Sequence, residues 1–318
     1  MPERAPGLRL DDLVMRTPVL PLVQDSGAIV WVKLEFLQPS GSTKDRFAAT
    51  ALCDALDRGL VAEGGLVIEA SSGSTSIALA MMCARLGLRF VAVLPETVSV
   101  ERVMIIRRLG GEVVPTPAVE GMTGALDRAC RLAEQDPSAF LPRQFSNPLN
   151  VQAHEMGTGR ELLEQVAGPI HAFVAGVGTG GTLAGVGRAL RATWPEVALV
   201  EARPADGDSL CPSPGIPGIV AGASALLDDT PIAGVIDVCH AEVLDATRTL
   251  CRMGLPVGLS SGLNVAAARR LAARLPAGTQ VTTVLPDRME RYFSGSLFAD
   301  LAPGPQCAMA CEEVDIAH

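Results

Sequence analysis

The chain writes twenty-four of its twenty-six basic positions as arginine and only two, Lys33 and Lys44, as lysine. A guanidinium stays protonated in proteins, whereas an amine whose pKa is lowered by burial can act as a nucleophile and condense with an aldehyde. Lys44 lies in "PSGSTKDR" (39–46), a loop of small residues just past the apolar run "AIVWVKLEFLQ". It is therefore the candidate for amine chemistry, and Lys33 is expected to be a solvated strand residue. A second group is "GVGTGGT" (176–182). It satisfies G-x-G-x-x-G, and Glu201 stands twenty residues beyond Gly181, at the apparent close of the next strand, as in dinucleotide-binding folds. Equally, Gly178, Thr179, Gly180, Gly181 and Thr182 at a helix N-terminus could hold a phosphate monoester through backbone N–H groups, hydroxyls and the helix dipole. A glycine-rich packing turn is the third reading. The lysine decides between the two ligands: pyridoxal 5'-phosphate (PLP) has an aldehyde for Lys44 and a phosphate for the Gly-Thr loop, while a dinucleotide accounts for one of the two. Two more loops carry hydroxyls ahead of helices, "EASSGST" (69–75) and "GLSSG" (258–262). In the former, convergent N–H and O–H groups suit a carboxylate, and helix capping by Ser71 and Ser72 is the plain structural alternative.

These loops follow strand-like runs. "GLVIEA" and "RFVAVLP" read as buried strands around the helix "STSIALAMMCARLG". The helix "SVERVMIIRRLG" and the strand "GEVVPTP" follow. Later, "HAFVAGVG", "VALVEARP" and "TQVTTVLP" read as strands, and "TLAGVGRALRAT" and "LNVAAARRLAARL" as helices. Such alternation specifies an α/β architecture with mostly parallel sheets, whose ligands bind beyond the carboxyl ends of the strands. The turn-rich "RQFSNPLN" marks the boundary between two such units. The chain has 318 residues, 48% of them apolar, and a net charge of −9, which suits a globular protein with a small-molecule partner rather than a nucleic-acid or anionic-membrane surface. No basic leader and no run of 18 apolar residues is present, so a cytoplasmic protein is expected. The first six of eight cysteines are expected as reduced core thiols. Cys307 and Cys311, with His318, form too weak a pattern for a metal site, and none is expected.

Eight segments, "PSGSTKDR", "EASSGSTSIALA", "SVER", "RQFSNPLNVQAHEMGTGREL", "GVGTGGTLAGV", "GIPGI", "GLSSG" and "DRMERYFSGSLF", occur in the order found in the PLP-dependent cysteine synthase family of fold type II, which the chain resembles over residues 39–298. "EGMTGA" and "GIPGI" are similar to the B-type branch. The resemblance implies two α/β domains with PLP in the cleft between them: residues 1–40 and 146–302 as the large cofactor domain, 41–145 as the smaller substrate-loop domain, and 303–318 as a tail. It implies Lys44 as the cofactor-bearing lysine and proton shuttle, and Gly178, Thr179, Gly180, Gly181 and Thr182 around the phosphate. Ser260 would meet the pyridine nitrogen, where a neutral hydroxyl leaves the ring unprotonated and favours β-elimination. Ser71, Ser72, Gly73, Thr75 and Gln144 would grip the amino-acid carboxylate, and His154 is expected as a structural hydrogen-bonding residue. Ser74 replaces the family's asparagine at the cofactor's 3'-oxygen, and Ser76 replaces the following glycine, which is expected to alter volume and polarity beside the cofactor. "VAGASALLDD" lacks the arginine-tryptophan stretch of the B-type enzymes. The implied activity is β-replacement on O-acetylserine or O-phosphoserine by a sulfur nucleophile, with the small nucleophile as second substrate and a homodimer as the assembly. Another nucleophile, simple β-elimination, or a PLP-binding protein without turnover remain as alternatives.

Overall fold

The computed structural model describes residues 14–205, 216–219 and 224–301. Two sheets organise the chain. The larger has six strands, β1 (Val19–Val23), β2 (Ile29–Lys33), β6 (Ala172–Gly176), β7 (Ala198–Pro204), β8 (Gly234–Val238) and β9 (Gln280–Val284), in the order β1-β2-β9-β6-β7-β8. The smaller is β3 (Leu66–Ala70), β4 (Arg89–Pro95) and β5 (Glu112–Thr116), in that order. Every pairing is parallel except β1 with β2. Parallel pairing demands long crossovers, and helices supply them on both faces.

The helices are α1 (Lys44–Asp57), α2 (Ser74–Leu86), α3 (Val100–Arg108), α4 (Gly121–Gln135), α5 (Leu149–Ala153), α6 (Arg160–Gln165), α7 (Gly181–Thr193), α8 (His240–Arg252) and α9 (Leu259–Ala272). On the small sheet, Ala48, Leu52, Ile77, Leu79 and Met82 of α1 and α2 pack with Val67, Phe90 and Ala92, while Ala125 and Ala129 of α4 pack with Ile68 and Val93 on the other face. The large sheet is covered likewise: Val243, Leu250, Leu263 and Ala268 of α8 and α9 meet Val30, Val32, Val174 and Val200, and Leu183, Val186 and Leu190 of α7 meet Phe173 and Leu199. Burial on both faces is why β4, β6 and β9 read as continuous apolar or threonine-rich runs rather than alternating ones.

The expected strands and helices are present, and α1, α4, α5, α6, α8, β1 and β8 are elements beyond them. A π-helical turn, His154–Gly159, joins α5 to α6 just beyond the stretch read as a boundary, residues 143–150. Three expectations need correction. Lys33 is not solvated: it ends β2 fully buried, donating from Nζ to Thr17 O at 2.5 Å and Gln165 Oε1 at 2.7 Å, with Glu161 Oε2 at 2.6 Å. Burial pulls its amine below the ordinary lysine range, against the hydrogen bond and charge of Glu161. Cys130 is exposed, not a core thiol, because it faces outward on α4. Glu201 does not close its strand, which runs on to Pro204, so its side chain sits mid-strand opposite Ala175. Cys83, Cys130, Cys239 and Cys251 are free thiols, while Cys211, Cys307, Cys311 and the tail 303–318 lie outside the described residues.

Candidate active site

A cavity of about 240 Å3 lies beyond the carboxyl ends of β3, β6 and β9, lined by the loops that follow them and by Lys44. Lys44 opens α1. Its loop is fastened to the segment after β9: Thr43 N donates to Pro286 O at 2.9 Å, Arg288 N donates to Gly41 O at 3.2 Å, and Ser42 bridges Asp287. Burial pulls the Lys44 amine below its ordinary value, while Asp287 and Glu35 push the other way. Among the described residues no group accepts a hydrogen bond from its Nζ, so no partner holds the amine away from the cavity.

At another wall, the Gly176–Thr182 turn leads from β6 into α7. Gly180 has φ +85°, and a Cβ on Gly178 would stand 2.2 Å from Gly218 O, so both positions need glycine. Gly178, Thr179, Gly180 and Thr182 line the cavity, and Gly181 packs on Asn150 behind it. Thr179 Oγ1 accepts from Asn150 Nδ2 at 3.0 Å and from Gly181 N at 3.4 Å. Thr182 Oγ1 lies 3.1 Å from His154 Nε2, and Thr158 Oγ1 lies 2.9 Å from the other ring nitrogen. Burial holds His154 down at about 3, so the imidazole is neutral at ordinary pH and orients Thr182 without adding charge.

Ser260 starts α9 and lines the cavity with Asn264, whose Oδ1 accepts from Gly176 N at 2.7 Å and whose Nδ2 donates to Val284 O at 2.9 Å. Asp287, buried, faces three hydroxyls: Tyr292 OH at 2.9 Å, Ser74 Oγ at 3.4 Å and Ser260 Oγ at 3.5 Å. Neither Asp287 nor Asn264 was singled out from the sequence. Only the position of Asp287 in "DRMERYF" could have marked it.

The loop after β3 supplies Ser72, Ser74 and Thr75 to the cavity. Thr75 Oγ1 donates to Gln144 Oε1 at 2.5 Å, and Gln144 Nε2 donates to Ala70 O at 2.8 Å. Gln144 N in turn donates to Glu69 Oε2 at 3.1 Å. Burial pushes Glu69 up to about 8 against the backbone N–H groups of Gln144, Ala70 and Arg143. This clamp holds Arg143 at φ +56°, the non-glycine exception among the described residues. Ser71 is turned away: its Oγ accepts from Gly73 N at 3.0 Å and Ser76 N at 3.3 Å, capping α2. Ser76 is likewise fully buried, its Oγ 2.6 Å from that of Ser71, so the expectation that it alters the cavity's polarity is not met. Ser74 does face the cavity.

The donor set fits PLP: a free, depressed amine, a phosphate-sized turn of N–H groups and hydroxyls at the N-terminus of a 13-residue helix, and a serine hydroxyl at a separate wall. Glu201 is not among the cavity's lining residues, so the acid that a dinucleotide would require is missing from this site. Among the described residues no cluster could hold a metal ion, and no helix is long and apolar enough to cross a membrane.

Comparison with known proteins agrees with this geometry. A family model described as pyridoxal-phosphate dependent enzyme matches residues 10–287. Cysteine synthase B of Campylobacter jejuni is 40% identical over 296 residues, covering 92% of this chain and 98% of that protein. Among solved structures, an O-ureido-L-serine synthase superposes with a TM-score of 0.86 at 38% identity, covering 93% of this chain and 96% of its own. An O-acetylserine-dependent cystathionine β-synthase from Helicobacter pylori gives 0.85 at 34%, covering 91% and 98%.

Proposed function

The chain belongs to the pyridoxal-phosphate dependent enzyme family, and on that premise we propose that it carries out β-replacement on an O-activated L-serine, O-acetylserine or O-phosphoserine, with a sulfur nucleophile, yielding L-cysteine or a close analogue. The observation that carries this reading is the free, depressed amine of Lys44 in the same cavity as the Gly176–Thr182 turn. When bound, PLP withdraws electrons from the amino acid's α-carbon and so lowers the barrier to losing its proton. The chain's own residues do the rest. Gly178–Thr182 would hold the phosphate, with Thr182 oriented by neutral His154, and Ser260 would meet the pyridine nitrogen. Ser72, Thr75 and Gln144 hold the α-carboxylate, with Gly73 giving the loop its turn and Ser71 fixing its shape from behind. The Lys44 amine would take the α-proton. The β-oxygen substituent leaves with its bonding electrons as acetate or phosphate, the sulfur nucleophile adds at the β-carbon, and Lys44 returns the proton to the α-carbon. The similarity to an O-acetylserine-dependent cystathionine β-synthase and to cysteine synthase B supports an O-activated serine as donor and a sulfur nucleophile.

We further propose a homodimer in the cytoplasm, with two domains divided as the sequence suggested. The free thiols of Cys83, Cys130, Cys239 and Cys251 suit a reducing compartment. The deciding experiment mixes the cofactor-loaded protein with each donor and then with sulfide, thiosulfate, homocysteine, cyanide or an amine, identifying the amino acid formed. Lys44→Ala is expected to lose the visible absorbance of the lysine-bound cofactor and all turnover. A Lys44→Ala protein that keeps both after dialysis refutes the assignment, and a wild type that consumes no donor refutes the function.

A further inference from the structure

Arg102 is 4% exposed, yet no carboxylate lies within ion-pair distance of its guanidinium among the described residues. Its contacts are few: Nη1 donates to Ser99 Oγ at 3.4 Å, the guanidinium carbon stands 4.8 Å from the centroid of the Tyr292 ring, and Nε has no partner. Glu101, the adjacent acid on α3, is turned to Ser294, whose N and Oγ lie 2.6 and 3.0 Å from its two carboxylate oxygens. A buried cation with an unmet N–H is costly unless something anionic completes it. Arg102 also lines the cavity, against the substrate loop: a Cβ on Gly73 would stand 2.2 Å from Arg102 Cδ. The other donors of that loop, Ser72, Ser74 and Thr75, are neutral hydroxyls. In a chain of net charge −9, an anionic substrate meets a repulsive background and needs a local positive group.

We propose that Arg102 is the charge-reading residue of the substrate end of the cavity, its guanidinium receiving an oxyanion of the amino-acid donor. This deepens the function proposed above and rests on it. A guanidinium matches a carboxylate and a phosphate equally well. The oxyanion is therefore either the α-carboxylate common to every donor or the phosphate of O-phosphoserine, and the donor series separates them.

The test compares wild type, Arg102→Gln and Arg102→Lys, all cofactor-loaded, with O-acetylserine and O-phosphoserine at fixed sulfide. Arg102→Gln is expected to raise the donor KM about ten- to a hundred-fold, the range for loss of one charge-assisted contact, with kcat changed far less and the cofactor's visible band intact. Arg102→Lys restores part of the loss. An equal rise for both donors assigns the α-carboxylate, and a rise confined to O-phosphoserine assigns the phosphate. A KM within twofold of wild type for both donors overturns the proposal, as does a variant whose cofactor band is altered, since Arg102 would then act through Tyr292 and Asp287 on the cofactor. Inorganic sulfate provides a readout without turnover: it should perturb the cofactor spectrum of wild type and not that of Arg102→Gln. If wild type consumes no donor, the proposed function fails while the sulfate arm still decides whether Arg102 binds an oxyanion. Equal sulfate responses of wild type and Arg102→Gln overturn the proposal.

Discussion

Replacing Lys33 by Met should destabilise the protein severely while leaving its cofactor chemistry intact. Lys33, Arg46, Glu35 and Glu161 form a buried group of two cations and two carboxylates whose side chains are between 0 and 14% exposed. Arg46 donates to both oxygens of Glu35 at 2.7 Å each and to both of Glu161 at 2.7 and 2.9 Å. Burial pushes Glu35 upward, but the Arg46 guanidinium outweighs it and holds the carboxyl at about 2. Met fills the lysine's volume but leaves the group with one net negative charge out of water, strips Gln165 Oε1 of its donor and leaves Thr17 O with Gln165 Nε2 alone. Breaking a buried ion pair from one side costs about 3 to 5 kcal/mol, a large share of the roughly 5 to 15 kcal/mol that holds an ordinary domain together. The assay is urea unfolding with saturating PLP for every protein, so that cofactor binding adds equally to each. Lys33→Met/Glu161→Gln removes the cation together with one carboxylate charge and keeps an amide for Arg46. It should therefore be more stable than the sum of the single changes by about 0.5 to 3 kcal/mol. The visible band should survive in both, because Lys33 is not among the cavity's lining residues. A loss under about 1 kcal/mol for Lys33→Met, or additive single changes, refutes the reasoning.

Thr182→Ala removes a hydroxyl from the turn and should weaken PLP retention about ten- to a hundred-fold, measured by titrating apoprotein; unchanged affinity would detach Thr182 from the phosphate. His154 has a folded pKa of about 3 against an ordinary 6.5, so the unfolded chain binds its proton first and stability falls as pH drops from about 6.5 toward 3, by at most about 1.4 kcal/mol per pH unit. Glu35, at about 2 against 4.5, adds a loss of the same sign below about pH 4.5. Glu69, held up to about 8, contributes the opposite sign over this range in wild type and variant alike. His154→Gln should therefore remove from urea-derived stability a loss on acidification of up to about 1.4 kcal/mol per pH unit between pH 6.5 and 4.5 relative to wild type, and a slope equal to that of wild type would contradict the buried neutral imidazole. Ser74→Asn should shift the preference between sulfide and thiosulfate, with wild type favouring sulfide; product analysis with both nucleophiles checks it, and a wild type that prefers thiosulfate reverses the expectation.

What the sequence disclosed and what it hid divide by distance along the chain. Lys44, the Gly176–Thr182 turn and the hydroxyls of the β3 and α9 loops are legible because each acts through residues a few positions away, at a strand's end or a helix's start. The strand runs of β4, β6 and β9 are legible for the same reason. Lys33 misleads because the partners that keep an ammonium in the core are Thr17, Glu161 and Gln165, which no local pattern joins to it. Asp287 stayed unnoticed because its meaning lies in Ser74, 213 residues away, and in Ser260. Ser71 and Ser76 show the reverse error. Read as a linear motif, Ser71 belongs to the substrate carboxylate and Ser76 to the surroundings of the cofactor, but the turn of α2 points the two hydroxyls at each other.

The fastening of the Lys44 loop to the Pro286–Arg288 segment has an evolutionary consequence. The reactive amine, Ser260 and Asp287 are registered to one another through the strand ends of the large sheet, whereas Ser72, Ser74, Thr75 and Arg102 are carried by the small one. Selectivity can therefore diverge by mutation within residues 66–145 that spares the Ser74–Asp287 and Arg102–Tyr292 contacts, without retuning the reactive centre. A chimera that takes this span from a relative with different substrates should inherit that relative's repertoire in a single step.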